Sequence, residues 1–254
     1  MRILGIPWDF AAILLALAVF IPWRGAVRIR RLLSRPNLGT RERLALYAST
    51  IAFQWIATGV ILWRAAARGL TALQLGLVVG NSSRTIAVAV GTTACLTIVQ
   101  WQALRQLRRG NGILDARQQQ FREKILPQNL TESLVFFALA CTVAVCEELI
   151  YRGFAFAAFS LVSGGSATIA ILASSAIFSA AHAYQGRKGV VMTFILGALF
   201  ALTRAWTLSL LPAMLAHLIF DLISGLSGVG ALRTGSPGTP APDGPAAGGF
   251  AVVI

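Results

Sequence analysis

The stretch SLVFFALACTVAVCEELIYRGFAFAAFSL, residues 133–161, decides the fold. It is apolar except for a few polar positions and three charges, Glu147, Glu148 and Arg152. It is also longer than the roughly 20 residues a helix needs to cross a hydrocarbon core of about 30 Å. Similar apolar blocks lie on both sides, at residues 3–23, 44–63, 85–104, 167–183, 190–203 and 207–226. The expected fold class is therefore all-α, a polytopic transmembrane helix bundle of seven or eight helices.

Composition agrees. Of the 254 residues 56% are hydrophobic and 12% charged, against about 25% charged in an ordinary soluble domain. A soluble globular protein is excluded. The first block is read as a helix and not as a signal peptide, because Asp9 interrupts its start and Pro22-Trp23-Arg24 offers no small-residue cleavage site.

The net charge of +13 would suit nucleic acid, and the run Arg28, Arg30, Arg31, Arg35 resembles a phosphate-binding patch. The cations, however, gather in two connections, Arg24 to Arg43 and Arg105 to Lys124, in the manner of cytoplasmic loops. Lipid bilayer, not nucleic acid, is the partner this implies. Placing those loops in the cytoplasm sets 16 Lys and Arg on that side against 5 opposite, with Arg152 inside a block. The expected topology is N-terminus out and C-terminus in, across a bacterial inner membrane, with contact to anionic lipid.

Three segments follow as expected domains: N-terminal spanning helices and basic loops over 1–131, a catalytic transmembrane core over 132–227, and a disordered Gly/Pro/Ala tail over 228–254. The tail has too little to bury to offset its ordering entropy. Residues 70–79 are too short to span and are expected to lie in the interface or to re-enter. No internal repeat marks an inverted-repeat transporter. Cys95, Cys141 and Cys146 sit in apolar blocks and give no disulfide framework. Cys146 adjoins the paired acids, but a low-dielectric site disfavours a thiolate.

The chain has nine acids and two histidines, so their placement is informative. Both histidines, His182 and His217, fall in spanning blocks, as do Glu147, Glu148 and Asp221. An acid at mid-membrane costs about 2.5–3.5 kcal/mol on insertion scales. The blocks carrying Glu147 and His182 are joined at Gly164-Gly165, and each residue lies about 17 positions from that turn, so at 1.5 Å per residue they meet at one depth. His217 and Asp221, four apart, share a helix face. With the turn on the outer side, the site opens toward the cytoplasm.

Adjacent helical residues point about 100° apart, so Glu147 and Glu148 have different roles. Glu148 and Arg152, spaced i and i+4, are expected to form a structural ion pair, leaving Glu147 to face both histidines.

Cys146-Glu147-Glu148-Leu149-Ile150-Tyr151-Arg152, then Phe178-Ser179-Ala180-Ala181-His182, then His217-Leu218-Ile219-Phe220-Asp221 resemble, in order and helix placement, the three motifs of the CPBP family. That family comprises type II CAAX prenyl proteases and bacteriocin-processing or self-immunity relatives. The likeness covers about Glu132 to Leu226; seven blocks are one fewer than the eight helices of well-described CAAX members. It implies an intramembrane endopeptidase acting near the membrane surface on a membrane-associated protein or peptide tail. In it Glu147 and His182 activate water, while His217 and Asp221 stabilise the oxyanion. Many CAAX members carry asparagine where this chain has Asp221, and an ionised carboxylate cannot donate to an oxyanion. Asp221 is left with three open roles: protonated donor, orienting partner of His217, or metal ligand.

Glu147, His182 and His217 would also make a catalytic zinc set. The preferred reading is cofactor-free, with zinc as the alternative. Two other functions stay open: a proton- or ion-coupled transporter, in which Glu, His and Asp form a relay, and an inactive immunity or scaffold member of the same fold.

Overall fold

The structure is a computed structural model and describes residues 2–3, 5–35, 38–108 and 116–234. Among these, eight helices form the bundle. They are α1 (Trp8–Leu33), α2 (Thr40–Ala67), α3 (Ser82–Arg108), α4 (Ala116–Ile125), α5 (Leu130–Val162), α6 (Ala167–Ala181), α7 (Gly186–Thr207) and α8 (Leu211–Thr234). A short antiparallel ladder pairs Arg2–Ile3 with Ile6–Pro7 ahead of α1.

α1, α2, α3, α5 and α7 are long and apolar enough to cross a membrane, α7 counted with the short 3₁₀ turn that precedes it; α6 and the apolar part of α8 are shorter. All six tryptophans are exposed: Trp8, Trp63 and Trp206 near the helix ends on one side, Trp23 and Trp101 toward the other, and Trp55 between them. Amphipathic rings at two levels are what the two lipid–water boundaries select.

Two helices contain π-helical turns. Ala16–Phe20 in α1 winds this way immediately before Pro22, where the missing N–H and the ring's clash with a preceding carbonyl disturb the ordinary ladder. The second, Glu148–Ala155 in α5, contains the carboxylate and arginine of the first motif.

α5 is the hub of the core. Phe154 meets Phe10 edge-on at 5.0 Å, and Tyr151 meets Phe178 of α6 at 5.2 Å. Ala155 and Ala158 are fully buried, as small residues are where membrane helices approach closely. Ion pairs tie the outer helices on. Asp9 of α1 accepts from Arg64 and Arg68 at the end of α2. Glu132, in the first turn of α5, takes the Arg43 Nε of α2 at 2.9 Å with both side chains buried.

Three outcomes add to or revise the sequence expectations. The basic connection between the third and fourth blocks contains α4, the eighth helix: Phe121 and Ile125, one turn apart, give it an inward face. Residues 70–79 fold back on the α7–α8 turn, where the Gly76 carbonyl accepts from Leu210 N at 2.9 Å and Arg204 Nη2 donates to Gln74 O at 2.5 Å. Gly76 allows this through its φ of +72°, and a Cβ there would stand 3.1 Å from Leu210 Cγ. Finally, α8 runs on to Thr234, past the expected boundary at Gly228, since extending a nucleated helix costs far less than starting one. The remainder of the tail, 235–254, lies outside the described residues.

Candidate active site

The α5–α6 hairpin forms as the glycine pair implies, with Gly164 and Gly165 at φ +65° and +95°. It sets Glu147 and His182 on the wall of one cavity of about 200 Å³, which Gln54, Tyr151 and Tyr184 also line. His182 is the C-cap of α6, and its Nδ1 lies 2.9 Å from the Phe178 carbonyl. A carbonyl only accepts, so Nδ1 carries the proton and Nε2 keeps its lone pair. Glu147 Oε1 accepts from Gln54 Nε2 at 3.1 Å, while Oε2 is buried with no hydrogen-bond partner among the described residues. Both residues thus border the cavity, and each keeps an atom able to take a proton: the buried, unpartnered Oε2 of Glu147 and Nε2 of His182.

Glu148 faces elsewhere. Its Oε1 accepts from Arg152 Nη1 at 2.9 Å, as the spacing implies, and the same oxygen is 2.9 Å from His217 Nδ1. The other ring nitrogen of His217 stands 3.4 Å from Asp221 Oδ2. The His217 ring stacks on Phe200 at 5.4 Å, and the Arg152 guanidinium lies 4.0 Å over Phe178. Gly197 leaves the room: a Cβ there would come within 3.1 Å of both Arg152 Nη2 and Phe178 Cδ1. Glu148, Arg152, His217 and Asp221 are all buried. They form a closed charged cluster behind the cavity.

The expected division, with Glu148 serving Arg152 alone and Glu147 facing both histidines, takes a different form. Glu147 shares the cavity with His182, and His217 bonds Glu148. The reason is angular: α8 meets the side of α5 that carries Glu148, whereas the cavity lies on the side turned to α2 and the end of α6. Among the described residues no three His, Cys, Asp or Glu side chains converge to hold a metal ion. The set Glu147, His182 and His217 does not converge as a zinc site: both nitrogens of His217 face the carboxylates of Glu148 and Asp221, and His217 does not line the cavity that Glu147 and His182 share. Cys146 is buried and does not line the cavity.

Gln54 escaped the sequence reading, although an amide inside a spanning block is costly enough to be a signal. Its partner could not be read, because α2 and α5 lie 93 residues apart at this contact.

Residues 129–223 match the family model described as type II CAAX prenyl endopeptidase Rce1-like. The match covers less than half of the chain, and it spans all three motifs, from the N-cap of α5 to just beyond Asp221. It is consistent with a CPBP-family protease and indicates a membrane-embedded protease of the CAAX type. No curated protein and no solved structure gave a match.

Proposed function

We propose that this chain is an intramembrane endopeptidase that cleaves a membrane-associated protein or peptide tail near the membrane surface, with water activated by Glu147 and His182. The observation that carries this is that one cavity inside a membrane helix bundle is lined by both Glu147, whose Oε2 has no partner among the described residues, and His182, whose Nε2 is left with its lone pair.

Amide hydrolysis needs a base for water, a donor for the developing oxyanion and an acid for the departing amine. On this reading a water held between Glu147 Oε2 and His182 Nε2 loses a proton as its oxygen attacks the peptide carbonyl. The C–N bond then breaks, and the proton passes to the amine. The Tyr184 hydroxyl, which borders the same cavity, is the donor assigned to the oxyanion. His217 and Asp221, to which the family resemblance gives that task, act here as positioning residues, holding Glu148 and hence the α5 turn that carries Glu147. The mechanism uses glutamate and histidine and routes no step through a metal. The charge asymmetry orients the cavity toward the cytoplasm of a bacterial cell.

The test uses the full chain in lipid nanodiscs. Wild type should cleave tail peptides encoded beside its own gene, Glu147→Gln should not, and a chelator should leave wild-type activity unchanged. Proton-linked flux into vesicles that Glu147→Gln stops, with no peptide cleaved, would replace the peptidase with a transporter.

A further inference from the structure

The three tyrosines of the chain all line the cavity that Glu147 and His182 share. Two of them stand next to those residues in sequence. Tyr184 follows His182 by two positions, on the short turn that leaves α6, and Tyr151 follows Glu147 by four, about one turn further along α5. Each proton acceptor of the site thus has a phenol close by.

The three hydroxyls are used differently. Tyr47 donates its proton to the Ile125 carbonyl, whereas Tyr184 accepts from Gln185 Nε2 at 3.4 Å and keeps its own proton unspent. Tyr151 is only 4% exposed, and its hydroxyl makes no hydrogen bond to any described residue. Buried tyrosine hydroxyls ordinarily find a partner, and one left without is costly in a low-dielectric interior. A ligand in the cavity would supply the missing partner.

The ring is also fixed in place. It meets Phe178 edge-on at 5.2 Å, and Phe178 in turn carries the Arg152 guanidinium at 4.0 Å. A donor packed in this way points in one direction before any ligand arrives, which is what stabilising a developing charge requires.

The chemistry of the group narrows what it receives. A phenol holds one proton and is neutral near pH 7, so it does not compete with water for the charge of Glu147 as a lysine or arginine there would. It is suited to an oxygen that becomes negative only as the reaction proceeds. His217 and Asp221 do not line the cavity, so donors to such an oxygen come from other residues.

We infer that Tyr151 is a second oxyanion donor, acting with Tyr184 on the carbonyl oxygen that becomes charged when water adds to the peptide bond. This rests on the peptidase reading above. No bond forms to the phenol. Its O–H donates while the water oxygen joins the carbonyl carbon, and the hydrogen bond weakens again when C–N cleavage restores the carbonyl.

The experiment uses the full chain in phosphatidylcholine nanodiscs and a random-sequence octapeptide library as substrate. Two dipeptidyl ketones serve as probes: a trifluoromethyl ketone, whose hydrate carries a tetrahedral oxygen, and the matching methyl ketone, which stays trigonal. Tyr151→Phe removes one oxygen and keeps the ring, so the thermal midpoint should stay where it is. Its kcat should fall by about 10² to 10³, the usual effect of losing one oxyanion donor, with KM unmoved. Affinity for the trifluoromethyl ketone should fall with kcat, and affinity for the methyl ketone should not. An unchanged kcat, a shifted midpoint or an equal loss of affinity for both ketones overturns the donor and leaves the peptidase standing. A second readout needs no turnover. With 3-fluorotyrosine placed at position 151 of the otherwise wild-type chain, the fluorine signal should move on addition of the trifluoromethyl ketone and stay in place with the methyl ketone. Wild type that cleaves no library peptide counts against the peptidase, and this signal then decides the donor. Movement with the trifluoromethyl ketone alone upholds it, and no movement or equal movement overturns it.

Discussion

The central helix and the first three helices use the membrane in opposite ways. In the most apolar stretch of α5, 56% of residues are buried inside the protein, against 11% for α1 and 17% for α2 and α3. α5 is more enclosed by protein and carries a buried charged cluster in which Glu148 pairs with both Arg152 and His217. The outer helices face lipid along most of their surface, where an unpartnered polar group costs several kcal/mol. Several of their polar residues are held by a partner on another helix: Asp9 by Arg64 and Arg68, Arg43 by Glu132, Gln54 by Glu147. In α5 polarity builds the site; in the outer helices it marks where they touch the site or clamp the bundle.

The sharpest test of that contrast is at Glu147, where the two regions meet. Glu147→Gln should lower peptide cleavage by about 10² to 10⁴ while the protein elutes from size exclusion as wild type does, because the cavity face bears no ion pair. Arg152→Ala should do the reverse in stability: removing one partner of a buried pair costs about 3–5 kcal/mol, read as a fall in folded membrane yield and thermal midpoint. If Arg152→Ala is as stable as Glu147→Gln, the cluster behind the cavity is not what holds α5, α6 and α8 together.

Gln54→Ala reaches the site from the lipid-facing side. Loss of one hydrogen bond to a carboxylate, worth about 1.5–3 kcal/mol, should lower the thermal midpoint and, by leaving Glu147 unheld, lower kcat roughly tenfold to a hundredfold with little change in KM. A variant with unchanged kcat would show that α2 encloses the cavity without orienting its base. The smallest effects separate the two environments by packing alone. Gly197→Ala drives a methyl to within 3.1 Å of Arg152 and Phe178 and should cost about 1–3 kcal/mol, whereas Gly59→Ala in α2 meets nothing within 4 Å and should leave the melting curve unmoved. Equal shifts for the two would mean that α2 is packed as tightly as α7.

Much of this was legible before any coordinates. The spanning blocks are contiguous in the chain, the Gly164-Gly165 turn lies between two of them, and both histidines stand where ionisable groups are expensive. The Glu148–Arg152 pair follows from spacing on a single helix, and the site's common depth from counting residues to one turn. α4 was missed because a ten-residue helix in a basic connection has one inward pair, Phe121 and Ile125, too little for a period to stand out. The contact of Gln54 with Glu147 was not legible because it depends on a neighbour on another helix.

The sequence by itself determined that the chain is an all-helical membrane bundle and which side chains are the candidates for its chemistry. Spanning length, turn position and the cost of a charge in lipid are local properties, readable one segment at a time. Only the tertiary structure decided the partners: His217 to Glu148, His182 and Glu147 to a shared cavity, Gln54 to Glu147 across two helices. Those choices depend on how far each helix is rotated about its own axis, and that rotation is set by packing, by Gly197 beneath Arg152 and by Ala155 and Ala158 in the core, which no single segment encodes.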